Sequence, residues 1–551
     1  DVNGWQHKQY LGSGEFSLEF GDYLVRLTAP NDHVVTATGV LQNPAQVLKP
    51  EWVKRLKEAE TAKEPIKIVT QDEAIKNESS KPTGKKTWVF KADNVRDFAF
   101  ASSRKFIWDA QGHNVEGNKV MAMSLYPKEG NPLWEKYSTK AIVHTLNVYS
   151  RYTFKYPYPM AISVNNRFVG GMEYPMICFN GPRANPDMKT YSDRAKWGLI
   201  GVVIHEVGHN YFPMVVNSDE RQWTWMDEGL NTFLQYLSEK EWEGGFPSRR
   251  GPPKNIVDYM LSENQVPIMT NSESVLQFGN NAYAKPATAL NVLRETVMGP
   301  ELFDFAFKTY AQRWKFKRPM PADFFRTMED ASAMDLDWFW RGWFYTTDHV
   351  DISIEDVKLF KVAKKTAEEL KDPQVAKQYE EFMASLTARE KSLVETDYHF
   401  YLVSLKNKGG LVMPLIFKLE HADGSSEIVR IPAEIWRYNN YDVSKLLVTK
   451  KEATNIILDP NLETADVDVT NNSWKKSLVP TRFQVFKGQA VQQRPAGTGN
   501  PAVNANVTGK WNIAVDAGGQ TITVVANLVQ NGNVITGTLA FAQGEIPITS
   551  G

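Results

Sequence analysis

The period of hydrophobic and polar positions changes several times along this chain. In the first 48 residues, GEFSLEFGDYLVRLTAP alternates in places, as half-buried strands do, and Pro30-Asn31-Asp32 marks a turn. From 49 to 86 the alternation is lost. PEWVKRLKEAETAKEP has the makeup of a short charged helix and NESSKPTGKK that of an exposed loop, so this part is expected to be a solvated excursion from a β domain. Strand-like alternation resumes in KTWVFKADNVRDFAFASS and VMAMSLYP. A β-rich N-terminal domain over residues 1–130 is the expectation.

Beyond it the period becomes helical. Leu133, Ile142, Leu146 and Tyr149 recur near 3.6 residues. A strand, MAISVN, a turn at Gly170-Gly171 and a second strand, MEYPMICFN, follow. The stretch 192–230 reads as two helices, the first capped by Ser192 or Asp193, and further helices are expected at 254–263, 283–298, 301–315 and 321–332. Strands followed by a set of helices predict an α+β domain over 131–350. ISIEDVKLF and a charged helical segment form an expected connector, 351–395. Strands punctuated by Gly409-Gly410 and Asp423-Gly424 then predict a β-sandwich over 396–486. Residues 487–507, rich in Gly, Pro and Asn, read as a linker, and 508–551 as a small β meander. The fold class expected is a multidomain α+β chain.

Composition narrows the function. At 551 residues the chain is too long for one core, and 42% hydrophobic content lets it bury several. With 63 basic against 64 acidic residues, no global field points to nucleic acid or an anionic membrane. No apolar run is long enough for a membrane span. The single cysteine, Cys178, excludes an internal disulfide framework and a cysteine zinc site, and is expected to be a small buried hydrophobe. A start at Asp1 rather than Met is expected of a processed or trimmed product. The expected location is periplasmic or secreted, with a cytoplasmic one as the alternative.

The chemistry is concentrated in SDRAKWGLIGVVIHEVGHNYFPMVVNSDERQWTWMDEGL. His205 and His209 stand four residues apart and so share one helix face, where both imidazoles can grip one metal ion with Glu206 beside them as a base. Glu228, separated from His209 by eighteen residues, can return from the next helix as third ligand, leaving a fourth zinc position for water. The apolar flanks WGLIGVVI and NYF put the motif on a mostly buried helix, where an unpaired histidine or glutamate would be costly. Asp227 reads either as a partner for a ligating histidine or as a cap. His144 reads as a core or surface histidine. Trp223, Trp225 and the aromatic run 338–344 read as core, with a substrate pocket as the alternative.

His205-Glu206-x-x-His209 with Glu228 resembles the gluzincin signature of the M1 family of zinc metallo-aminopeptidases, of bacterial type. Gly170-Gly171-Met172-Glu173-Tyr174 is similar to that family's Gly-x-Met-Glu-Asn motif, with Tyr174 in place of Asn. Tyr283-Ala284-Lys285-Pro286-Ala287 is similar to its Tyr-x-Lys-x-Ala segment. The resemblance covers about residues 90–350. It implies a thermolysin-like catalytic domain that holds one zinc ion per chain on His205, His209 and Glu228. It implies Glu206 as general base towards a zinc-activated water and Tyr283 as donor to the oxyanion. Glu173 is implied to bind the α-amino group of a peptide with a free N-terminus, and Gly170, Gly171 and Met172 to lie along that substrate. A zinc endopeptidase and an inactive binding scaffold remain the alternatives. The resemblance assigns no second acidic residue to the amine.

Overall fold

The computed structural model describes residues 9–167, 170–475, 508–517, 520–531, 534–541 and 544–548. The chain divides into two compact units, Asp1–Leu478 and Val479–Gly551.

In the larger unit the N-terminal strand Gly21–Pro30 pairs antiparallel with Lys85–Val95, and Val40–Leu41 lies on the other side of that partner. A six-stranded sheet follows, in the spatial order Gly171–Tyr174, Ile177–Asn180, Met160–Asn165, Asn118–Tyr126, Ile107–Val115, Ile66–Val69. Met160–Asn165 runs parallel to both its neighbours and the other pairings are antiparallel. This sheet corrects two expectations. It draws strands from both sides of residue 130, so a division there crosses a continuous sheet. Nor is 49–86 simply a solvated excursion. Ile66–Val69 is an edge strand of the sheet, and Trp52, Ala59, Ile68, Val69 and Ala74 are buried. The helix Gln71–Ser79, whose last three residues fall in the expected loop, is capped reciprocally by Thr70 and Glu73. The charges that suggested a solvated segment line the outer faces of these elements.

The helix Leu133–Tyr152 packs beneath the sheet, with Leu133, Ile142, Leu146 and Tyr149 fully buried. It contacts the motif helix, Asp193–Gly208, which contacts in turn the acidic helix, Thr224–Trp242. Two three-stranded sheets follow: Ile352–Lys361, His399–Asn407, Asp442–Thr449, and Ser426–Ile431, Leu415–His421, Ala453–Leu458. Tyr401, Val403, Leu405, Phe417, Leu419, Leu447 and Ile456 are among their buried side chains. The first strand, Ile352–Lys361, pairs along its length with His399–Asn407, so it belongs to this β structure and not to a connector. The helices Pro373–Ser385 and Ala388–Glu395 between them bury no residue.

The smaller unit is an antiparallel meander of four strands, Gly509–Ala517, Gln520–Asn531, Val534–Phe541 and Gly544–Ile548. The expected linker, 487–507, lies outside the described residues.

Candidate metal centre

The motif helix starts at Ser192, whose hydroxyl accepts the Ala195 amide at 3.1 Å, and carries His205 and Glu206 in its last turn. The apolar residues Leu199, Ile200, Val203, Ile204 and Val207 hold it in the core. Close packing fixes its end. A β-carbon on Gly208 would run into Tyr149 and Asn231. Asn231, on the acidic helix, donates to the His205 carbonyl at 2.8 Å and accepts the Tyr149 hydroxyl at 2.9 Å, tying three helices together.

Each histidine is aimed by its outer nitrogen. Gln235 uses its amide N–H groups on Glu239 and Gly201, so its oxygen accepts the Nδ1–H of His205 at 2.8 Å. His209 Nδ1 lies 2.9 Å from the Phe212 carbonyl and 2.9 Å from Asp227 Oδ1. A carbonyl only accepts, so Nδ1 of His209 carries a proton. The two Nε2 atoms therefore turn inward, 3.0 Å apart, with Glu228 Oε2 at 3.0 Å from His205 and 3.4 Å from His209. Burial pulls His209 towards the neutral form. Glu173, Asp227 and Glu228 outweigh it and hold the imidazole well above its ordinary pKa. Burial lowers His205, with the neighbouring His209 adding to the effect. Burial raises Glu228, but the two histidines win and hold it below the ordinary carboxylate range.

This donor set fits one zinc ion. Two imidazole nitrogens and a carboxylate oxygen converge, with all three residues buried. Both imidazoles have their outer N–H bonded, as second-sphere partners of a metal site do. Glu173, Asp227 and Glu228 around His209 make this a place where a cation is favourable.

Three further side chains meet here. Glu206 is buried with Oε2 unpartnered, and burial, then Glu173, raise its carboxyl well above the ordinary value. Its carboxylate lies so close to Gly171 that a β-carbon there would overlap it, which gives that glycine a steric reason. Glu173 stands on the edge strand of the sheet, opposite Cys178 and 3.7 Å from His209 Nδ1. Met172, beside Glu173 on the edge strand, pairs with Phe179 of the neighbouring strand, and Gly170 precedes the edge strand with φ 106°. Tyr283 lies in a widened, π-helical turn, Gly279–Ala284, that leads into the helix Lys285–Val292. Its hydroxyl donates to Glu228 Oε1 at 2.6 Å, and the Arg250 guanidinium sits 4.2 Å above its ring. The structure thus brings together Glu173, His205, Glu206, His209, Glu228 and Tyr283, which come from four separate segments.

Other candidates lie elsewhere. His144 packs on Trp242 and bonds the Ser238 carbonyl at 2.9 Å. Trp225 stacks on Phe325, and Phe339, Trp340, Trp343 and Phe344 are core. Cys178 is buried against Ile162.

Sequence reasoning left out Gln235, Arg96, Glu220 and Glu15. Gln235 had a signal: it stands seven residues after Glu228 on the same helix and therefore on the same face. Glu15 had none, because GEFSLEF reads as an ordinary strand. Here it lies in an irregular segment that reaches the centre: one oxygen each of Glu15, Asp227 and Glu228 lie within 4.8 Å of one another.

Residues 135–343, which contain all the converging side chains except Glu15, match the model of the Peptidase family M1 domain. The chain carries a Peptidase family M1 domain. It is similar to glutamyl aminopeptidase of Sus scrofa, 23% identical over 230 residues, which are 40% of this chain and 24% of that protein. Aminopeptidase M1-D of Oryza sativa subsp. japonica is 23% identical over 237 residues, 40% of this chain and 26% of that protein. The match spans about a quarter of the length of these curated relatives. The structure of Legionella pneumophila aminopeptidase A in complex with aspartic acid superimposes with a TM-score of 0.53 at 13% identity, over 81% of this chain and 44% of that one. It shares the fold: a β-rich N-terminal region joined to a helical catalytic region.

Proposed function

We propose that this chain is a monozinc aminopeptidase that removes N-terminal residues from peptides. The observation that carries the reading is the convergence of His205 Nε2, His209 Nε2 and Glu228 Oε2, with each histidine's other nitrogen bonded outward. Zinc held by these three residues supplies a Lewis acid and a water acidified towards neutral pH.

The chain's own residues divide the remaining work. Glu206 Oε2 accepts a proton from the attacking water and delivers it to the leaving amine. Burial, then Glu173, raise this carboxyl above its ordinary value, which strengthens it as a proton acceptor. Tyr283 donates a hydrogen bond from its hydroxyl to the carbonyl oxygen as negative charge develops there, turning from its bond to Glu228. Burial, then Glu228, keep this phenol well above its ordinary pKa, so it stays a donor. Glu173, buried and with Oε1 unpartnered, receives the substrate's α-ammonium. Its strand is the free edge of the six-stranded sheet, with backbone groups able to accept a peptide as an added strand.

The test is a comparison of free and N-acetylated peptides of the same sequence on zinc-loaded protein, with metal content measured in parallel. Cleavage confined to the free peptides is expected. Equal cleavage of both makes the protein an endopeptidase and removes Glu173 from amine binding. Cleavage of neither, with zinc bound, leaves a binding scaffold.

A further inference from the structure

Arg250 stands in the loop 243–252 that follows the acidic helix, and the backbone there is fixed on both sides of it. Asn255 Nδ2 donates to the Ser248 carbonyl at 3.3 Å and to the Arg249 carbonyl at 3.1 Å, and Asn291 Nδ2 donates to the Gly251 carbonyl at 3.1 Å. The Ser248 hydroxyl donates to Glu239, which also accepts Gln235, the residue that aims His205. Gly251 has φ 103°, and a β-carbon there would overlap the Tyr236 ring. A loop held in this way presents its arginine in one place.

The side chain is engaged by a ring face and by no acceptor. Its guanidinium carbon lies 4.2 Å from the centre of the Tyr283 ring. Among the described residues the guanidinium makes no hydrogen bond or ion pair, and none of its nitrogens is sealed from solvent. Two carboxylates lie near it, and both face other donors: Glu228 faces the two histidines and Tyr283, and Glu239 accepts Ser248 and Gln235. A partly buried planar fork with free N–H groups is matched best by a carboxylate.

Its place relative to the metal ligands decides which carboxylate it meets. Glu173 lies 3.7 Å from His209 Nδ1, and the Nε2 atoms of His209 and His205 lie 3.0 Å apart. The Tyr283 ring lies 5.9 Å from the His205 ring and near parallel to it, at 20°, and Arg250 rests on Tyr283. Glu173 and Arg250 therefore flank the centre beside different histidines. A peptide with its α-ammonium on Glu173 and its scissile carbonyl between the metal ligands and Tyr283 sends its leaving part towards Arg250. An extended chain advances by about 3.3–3.6 Å per residue, so the C-terminus that comes to this arginine is that of a short peptide.

We infer that Arg250 binds the free C-terminal carboxylate of di- or tripeptides and makes such short peptides the favoured substrates. This rests on the aminopeptidase reading above and adds the substrate class. A carboxylate on the side chain of the second residue offers the same chemistry, and the experiment separates the two sources.

The experiment compares Leu-Phe and Leu-Gly-Phe, each with its C-terminal amide, on the zinc-loaded chain. At one of the two lengths wild type is expected to favour the free acid in kcat/KM by about tenfold, as a charge-assisted bond gives. In Arg250→Gln that ratio falls to about one. In Arg250→Lys, which keeps the charge and loses the fork, part of it returns. Each ratio is taken within one protein, so a general loss of turnover through Tyr283 leaves it unmoved. Ratios of about one or less at both lengths overturn the inference. So does a preference that survives in Arg250→Gln, because the carboxylate would then lie on another group. Leu-Asp-amide and Leu-Asn-amide form the second arm: a preference for the Asp amide that is lost in Arg250→Gln assigns the arginine to a side chain and overturns the C-terminal reading. Calorimetry of Leu-Phe and Leu-Gly-Phe and their amides on zinc-loaded Glu206→Gln reads the same preference without turnover. A chain that cleaves no peptide yet binds the free acid more tightly, and loses this in Arg250→Gln, refutes the peptidase reading while keeping the carboxylate site. Equal binding of acid and amide at both lengths refutes the site.

Discussion

The Tyr283 hydroxyl donates to Glu228 Oε1 at 2.6 Å while Oε2 of the same carboxylate faces His205 and His209. One side chain thus joins the proposed oxyanion donor to the metal site. Tyr283→Phe removes the donor and leaves the three ligands. The expected loss in kcat is about 3–4 kcal/mol, on the order of 10²- to 10³-fold, with KM changed by less than about threefold. Steady-state kinetics on a free dipeptide amide checks it, and an unchanged kcat removes Tyr283 from the chemistry.

Glu206 carries no ligand role in this geometry, and Gly171 leaves room for its carboxylate and no more. Glu206→Gln keeps the shape and removes the proton acceptor. The variant is expected to bind zinc as wild type does and to lose turnover by more than about 10²-fold. Metal analysis beside the activity assay distinguishes this from loss of the ion. Wild-type turnover would sink the assignment.

Much of this was legible in the sequence because short-range periodicity carries it. His205 and His209 share a helix face by spacing alone, and the apolar flanks announced the burial now seen. The buried stripe of Leu133, Ile142, Leu146 and Tyr149 is likewise a local pattern. What escaped depends on contacts distant in sequence. No local rule brings Glu15 beside Asp227, which takes a strap pinned by Arg96, Arg221 and Arg318. The sheet edge formed by Ile66–Val69 was hidden because a four-residue strand between charged helices has too few positions to show a period.

His209 Nδ1 donates to the Phe212 carbonyl at 2.9 Å, and Asp227 Oδ1 lies equally close without a hydrogen bond; the two neighbours differ in charge. If the carboxylate is what makes the imidazole a strong ligand, Asp227→Ala weakens zinc binding about 10- to 100-fold although the carbonyl remains. Competition against a chelator of known affinity measures it. An unchanged zinc affinity would show that the backbone carbonyl orients the ring unaided.

Lys285, two residues after Tyr283, is fully buried, and its ammonium donates only a long bond, 3.4 Å, to the Thr346 carbonyl. Burial lowers it from 10.5 to about 8, with Asp348 opposing. A depressed folded-state pKa means that the fold favours the neutral amine. Its contribution to stability is complete above 10.5 and is lost as pH falls through about 8. At pH 7 the charged form costs on the order of 3 kcal/mol, against about 1 kcal/mol for leaving the Thr346 carbonyl without its donor. Lys285→Met keeps the apolar stem and removes the charge. It is therefore expected to raise the thermal midpoint at pH 7, with the advantage over wild type shrinking as pH approaches 10. Paired melting curves at pH 7 and 9.5 decide it. A variant that melts below wild type at pH 7 would show that the Thr346 bond outweighs the burial of the charge.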